Sequence, residues 1–303
     1  MRLPGGGAVA PFFAPPPAPH SQQARPRQAR LEQLRALLAA FERRPGFDRG
    51  PASVPAAEPP EEACWTLGHP DVDGWLPGRH LEAARLGEIK PETYRDLPTA
   101  LTFALLLAAR RLGMDRTGNV PPTVPRSVSP GLVVWCWPAR LARECGGLYG
   151  PGLVRLGLDP ARVLLVETAT PAETLWAMEE SIASAAAAIV IGNLDTVALT
   201  PARRLALAAA AHRTPALVVT AARSPPMAAT FARWRIAAAP SAQHPFDPVA
   251  PGDPRFTLTL ERCRGTAVGA ALQSSVVEWS HDAHRFRVAA GMADRASATA
   301  SRA

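Results

Sequence analysis

Residues 148–220 constrain the fold of this chain more tightly than any other stretch. Three short apolar runs rich in β-branched residues (163–166, 188–191 and 217–219) alternate there with two segments of helical pattern. Continuous apolar runs of that length, separated by helices, predict parallel strands buried on both faces. The order is β-α-β-α-β. Right-handed crossovers would then set the three strands side by side in one sheet.

Both helices carry start signals. Thr170 precedes Pro171 and Thr200 precedes Pro201, so each offers a hydroxyl N-cap followed by a proline at the first helical position. On the first helix Leu175, Met178, Glu179 and Ile182 follow helical spacing, which leaves Glu173 and Glu180 to solvent. The second, 203–212, is nearly all alanine and leucine after a basic first turn.

At 303 residues the chain has material for one sizeable core plus tails. Its formal net charge is +7, and its pI is about 10.2. Of 33 basic residues only Lys90 is a lysine. That bias, beside so much alanine and proline, reads as GC-rich coding as readily as a nucleic-acid surface, while permitting attraction to DNA or acidic partners. Cys64, Cys136, Cys145 and Cys263 form no C-x-x-C pair and no cluster with histidine, which predicts reduced thiols and a cytoplasmic protein. No apolar run is long enough to span a membrane, and Gly5–Gly7 with the prolines that follow predict no secretory signal.

Taken in order, 1–26 is a Pro/Ala/Gly-rich tail predicted to be disordered. An arginine-rich helix is predicted over 27–45, where Leu31, Leu34, Leu38 and Phe41 make a narrow apolar seam that Leu37 widens. This seam is the candidate partner-binding surface, and the competing reading folds it back on its own domain. A Pro-rich linker (46–62) leads to one folded domain (63–290), and 291–303 is again predicted to be a disordered tail. Within the domain the pattern predicts a strand at 86–89, a helix at 97–112, a Pro-rich loop at 119–130 and a fourth buried strand at 132–137. After a loop at 221–230, strands at 234–238, 256–261, 276–279 and 284–288 suit an antiparallel extension of the sheet.

In this order, LGHPDVDGWLP, GEI, VVWCW, LYGPGLVRLGLDPARVLLVE, TLWAMEE, AIVIGNLDTVALTPARRLALAA, RWRIAAAPS and a terminal VVEW resemble the ImuA family over about 64–280. The resemblance implies an α/β, RecA-like core: a mostly parallel central sheet with an antiparallel C-terminal extension, preceded by an N-terminal helix on a flexible linker. It implies a role in the DNA-damage (SOS) response, as an accessory protein of error-prone translesion DNA synthesis. The partners implied are an ImuB-like Y-family polymerase homologue, an error-prone replicative-type DNA polymerase and RecA itself.

The residues bear on whether RecA-type chemistry survives. A phosphate loop needs glycines whose N–H groups cradle phosphate, a lysine for the β/γ-phosphates and a Ser/Thr on Mg²⁺. After Ile89 the chain reads KPETYRDLPTA, with no glycine and no Gly-Lys-Ser/Thr. Lys90 precedes the turn, Arg95 and Asp96 occupy its tip, and Asp96 or Thr99 is placed to cap the helix. The strand at 188–191 ends Gly192-Asn193-Leu194, with Leu194 near the expected metal-binding acid and Asp195 one residue on. Where RecA proteins carry a water-activating glutamate, this chain has Cys136-Trp137-Pro138-Ala139, and proline performs no base chemistry.

The expectation is a non-catalytic, pseudo-ATPase adaptor with no catalytic, cofactor-binding or metal residue. A DNA-dependent ATPase with an unorthodox phosphate loop is the alternative, and a cell-division inhibitor finds support in no residue. The segments matching RecA's DNA loops shrink to 196–201 and 221–230, the latter with Arg223 as its cation, so DNA contact is expected to be weak or indirect. His69, His80, His212, His244, His281 and His284 lack metal spacing. Trp135, Trp137, Trp176 and Trp234 are expected in the core rather than as a base-stacking platform. Ser181 and Ser184 have no neighbouring base.

Overall fold

The computed structural model describes residues 64–289, apart from 83, 114–130, 242, 245, 248 and 266–272. The tails, the helix 27–45 with its seam Leu31, Leu34, Leu38 and Phe41, the linker 46–62 and the loop 119–130 lie outside the described residues.

A two-stranded antiparallel pair, β1 (Cys64–Trp65) and β2 (Leu81–Glu82), flanks a short helix α1 (Pro70–Asp73). Then follow β3 (Leu86–Pro91), α2 (Leu97–Leu112), β4 (Leu132–Pro138), α3 (Ala139–Cys145), α4 (Gly150–Arg155) and β5 (Val163–Thr168). The chain continues through α5 (Pro171–Ala183), β6 (Ala187–Asn193), α6 (Leu199–His212), β7 (Ala216–Val219), β8 (Ala232–Ala239), β9 (Arg255–Cys263), β10 (Gln273–Ser280) and β11 (Arg285–Val288). Nine strands form one sheet in the order β11-β10-β9-β8-β3-β7-β6-β4-β5. From β8 to β5 every pairing is parallel, and from β8 to β11 every pairing is antiparallel. A mostly parallel core continued by antiparallel C-terminal strands is the arrangement expected of a RecA-like domain.

The central strands are apolar because both their faces are covered. α2 is buried nearly all round, as a helix with almost no polar face must be. It packs with Ile89, Val133, Trp135, Ile191, Val219, Trp234 and Ile236 in one continuous core. α5 and α6 cover the opposite face of β6, β4, β3 and β7. The approach of α5 is close: a Cβ on Gly192 would lie 2.2 Å from Met178 Sδ, so β6 needs a glycine there. Thr170 Oγ1 accepts from Glu173 N at 3.1 Å and caps α5 as expected.

Several local expectations need correction. β6 and β7 pair side by side as expected, but β4 is inserted between β5 and β6, so the three strands of the 148–220 stretch are not all adjacent. The crossover from β5 to β6 skips one position, and local patterning carries no information about which strand fills it. β5 is consequently a sheet edge rather than a strand buried on both faces, and Leu165 is 43 % exposed. β8 was expected among the antiparallel strands but runs parallel to β3, and the reversal begins at β9. α6 starts at Leu199 behind Ala198, so Thr200 lies inside the helix and caps nothing. Pro201 is tolerated because first-turn N–H groups have no intrahelical acceptor. The buried stripe of α5 is Thr174, Ala177, Met178, Ser181 and Ile182, while Leu175 is only half-buried. Trp135, Trp137 and Trp234 are core residues, but Trp176 is half-buried.

Candidate functional site

In open α/β sheets ligands bind beyond the carboxyl ends of the strands. Here that end holds a small open cleft, lined by Pro91, Tyr94 and Leu97, by Arg140, Leu141 and Glu144, and by Asn193, Asp195 and Thr220–Ala222. The loop from β3 into α2, where a phosphate cradle would lie, forms one wall.

That loop is occupied by its own side chain. Asp96 Oδ2 accepts from Thr93 N at 3.0 Å and from Thr93 Oγ1 at 2.7 Å. Asp96 Oδ1 accepts from Ala238 N at 2.9 Å, and Glu92 N donates to Ile236 O at 2.8 Å, so both ends of the loop are tied to β8. Burial works against the Asp96 charge, yet the N–H of Ala238 and the hydroxyl and N–H of Thr93 hold its carboxyl below the usual range. A carboxylate thus sits at the N-terminus of α2, where the helix dipole would favour a phosphate. Pro98, in the first turn, has no N–H to offer.

Lys90 is turned away from this position. It is 4 % exposed, and its Nζ donates to Ser224 O in the β7–β8 connection. Beside it on β3, Glu88 is fully buried: Oε2 accepts from Arg233 Nε at 2.7 Å and from Met227 N at 3.0 Å, and Oε1 accepts from Thr220 Oγ1 at 3.0 Å. Arg233 Nη2 donates to Met227 O at 2.9 Å. The charged residues of β3 therefore fix the segment 220–230 instead of meeting a ligand.

Asp195 lines the cleft, exposed, in an ion pair with Arg140 of α3. Leu194 is 3 % exposed and Asn193 4 %, so the end of β6 presents an amide and a leucine where the expected acid would be. Pro138 ends β4, and Glu144, one turn into α3, is the carboxylate on that side of the cleft. Among the described residues, no three His, Cys, Asp or Glu side chains gather as a metal site.

The histidines have structural roles. His69 Nδ1 accepts from Asp71 N at 3.2 Å at the start of α1, His80 Nδ1 pairs with Gly78 O at 2.8 Å, and His284 stacks on Trp279. Burial pushes the Cys136 thiol up to about 12, and burial with nearby Glu82 pushes Cys263 up to about 11, which removes both as nucleophiles. Sequence reasoning missed Glu88, Arg233, Arg140 and Glu144. A charge inside the short strand read at 86–89 was the available signal for Glu88, but Arg233 fell just before the strand read at 234–238, and their pairing across 145 residues has no local signature.

No family model matches the chain. Among solved structures, the RadB recombinase overlays with a TM-score of 0.47 at 15 % identity, covering 75 % of this chain and 100 % of that one. Among curated proteins, Protein ImuA of Caulobacter vibrioides, from two strains, is 32 % identical over 245 residues, which span 78 % of this chain and 92 % of the relative. With that identity over that span, the chain belongs to the ImuA family.

Proposed function

We propose that this ImuA-family protein is a non-catalytic adaptor in SOS-induced, error-prone translesion synthesis. It assembles or regulates a complex of an ImuB-like Y-family polymerase homologue with an error-prone replicative-type DNA polymerase, and RecA is a further candidate partner. The observation that carries the non-catalytic reading is the β3–α2 loop. It has no glycine, its donors at Thr93 face Asp96, and Lys90 is engaged with Ser224. Leu194 and Pro138 at the ends of β6 and β4 support the same reading. DNA contact, where it occurs, is weak or indirect, since the segment 220–230 is committed to Glu88 and Arg233. The apolar seam Leu31, Leu34, Leu38 and Phe41 is a proposed partner-binding element.

The test is Mg-ATP turnover by the intact chain, with and without single-stranded DNA, beside Asp195→Ala. We expect turnover at background in every case. Stimulated hydrolysis lost in Asp195→Ala would instead establish a DNA-dependent ATPase with an unorthodox phosphate loop. Deletion of the chain is expected to reduce damage-induced mutation while leaving homologous recombination intact.

A further inference from the structure

On the side of the sheet opposite α2, helix α6 turns a distinctive face to solvent. Ala202, Leu205 and Ala209 are its buried stripe. On the opposite side Leu199, Arg203, Leu207 and Ala211 follow one another at four-residue spacing and form a single row. Leu207 is 70 % exposed and Leu199 48 %, and Thr200, Arg203, Ala210 and Ala211 are exposed beside them. The small residues let another backbone come close, and the two leucines give it apolar side chains to bury.

The charge of this face is one-sided. α6 contains no acidic residue. Arg204 pairs with Glu179 of α5, while Arg203 near the start and Arg213 just past the end are exposed cations. Cations near a helix N-terminus oppose the dipole, and Ala198 supplies no side-chain cap there, so a carboxylate from outside is favoured at that end. A second copy of the same helix brings no carboxylate. A nucleic-acid surface would put cations or aromatic rings on the crest, where this helix has Leu207.

We infer that the outer face of α6 docks an acidic amphipathic helix of a partner protein. Its apolar side chains cover Leu207 and Leu199, and its carboxylates meet Arg203 and the uncapped N–H groups at the start of α6. The surface lies outside the cleft, and its occupancy is independent of whether the cleft turns over nucleotide.

The probe is a labelled synthetic helical peptide with leucines at three- and four-residue spacing flanked by glutamates, titrated into the full chain by fluorescence anisotropy. A twin peptide with lysine in place of each glutamate serves as its comparison. The acidic peptide binds and the lysine twin does not. Leu207→Asp weakens binding by about tenfold or more, with thermal unfolding unchanged because the side chain is exposed. Arg203→Glu weakens the acidic peptide and gains affinity for the lysine twin. Equal binding of the two peptides, binding of neither, or binding indifferent to Leu207→Asp overturns the inference. So does a dimer of the chain that Leu207→Asp dissolves, or displacement of the acidic peptide by single-stranded DNA or phosphatidylserine vesicles.

Discussion

Two charged pairs divide this molecule. Glu88 and Arg233 lie inside, with side chains 0 % and 10 % exposed, and Arg140 and Asp195 lie across the cleft, with side chains 53 % and 64 % exposed. The first pair is held further by Thr220 Oγ1 and Met227 N donating to Glu88 and by Arg233 Nη2 donating to Met227 O. The second stands in water, where Coulomb attraction is screened and side-chain entropy opposes it. The buried charges thus have a structural task, and those left at the cleft pair with each other.

The largest effect tests the buried pair. Arg233→Ala leaves Glu88 as an uncompensated charge without a water route, and is expected to cost about 3–5 kcal/mol. At about 2–4 °C per kcal/mol for a domain of this size, thermal unfolding should fall by roughly 6–20 °C. Replacing both partners, as Glu88→Leu with Arg233→Met, should cost much less, because no orphan charge remains. An unchanged midpoint in Arg233→Ala would erase the distinction between the two pairs.

Asp96 falls between them, exposed in part but held by three donors. Asp96→Ala is expected to cost about 1 kcal/mol, as for loss of a helix cap. The sign of its pH dependence is fixed. A carboxyl whose folded value is depressed adds stability above its unfolded pKa, near 4, and loses it as pH falls through the folded value. Chemical unfolding of wild type and Asp96→Ala should therefore differ near neutrality and converge in acid. A difference that grew toward acid would mean that Asp96 is not held as an anion.

The smallest effect sharpens the contrast. Asp195→Ala and Arg140→Ala should each shift stability by no more than about 1 kcal/mol, and the double variant by little more than either. Salt should shrink even that difference, since this pair is exposed. A shift comparable to that of Arg233→Ala would show that the cleft pair is more than a surface contact.

Much of the architecture was legible because the central strands are apolar on both faces and periodicity reports burial. Ala187–Asn193 and Ala216–Val219 are buried throughout, and the Thr170 cap is where its hydroxyl and the following proline placed it. The strand order was not legible. The run 163–166 is as apolar as its neighbours, yet it lies at the edge, because the position of Leu132–Pro138 is decided by packing across the sheet rather than by any local run. At the candidate site, the missing glycines were visible in KPETYRDLPTA, but what replaced the phosphate was not. That Asp96 would reach Ala238, 142 residues away, depends on β8 lying parallel beside β3.

The carboxylate of Asp96 has one last consequence, for timing. A loop that senses a nucleotide exists in two populations, and the ligand shifts their balance only through its different affinity for each. Asp96 is tethered five residues past the end of β3, so its meeting with Thr93 and Ala238 is intramolecular and does not depend on the concentration of any solute. On the non-catalytic reading proposed above, activity in the cell would be set by how much of the chain and its partners is made and for how long they persist.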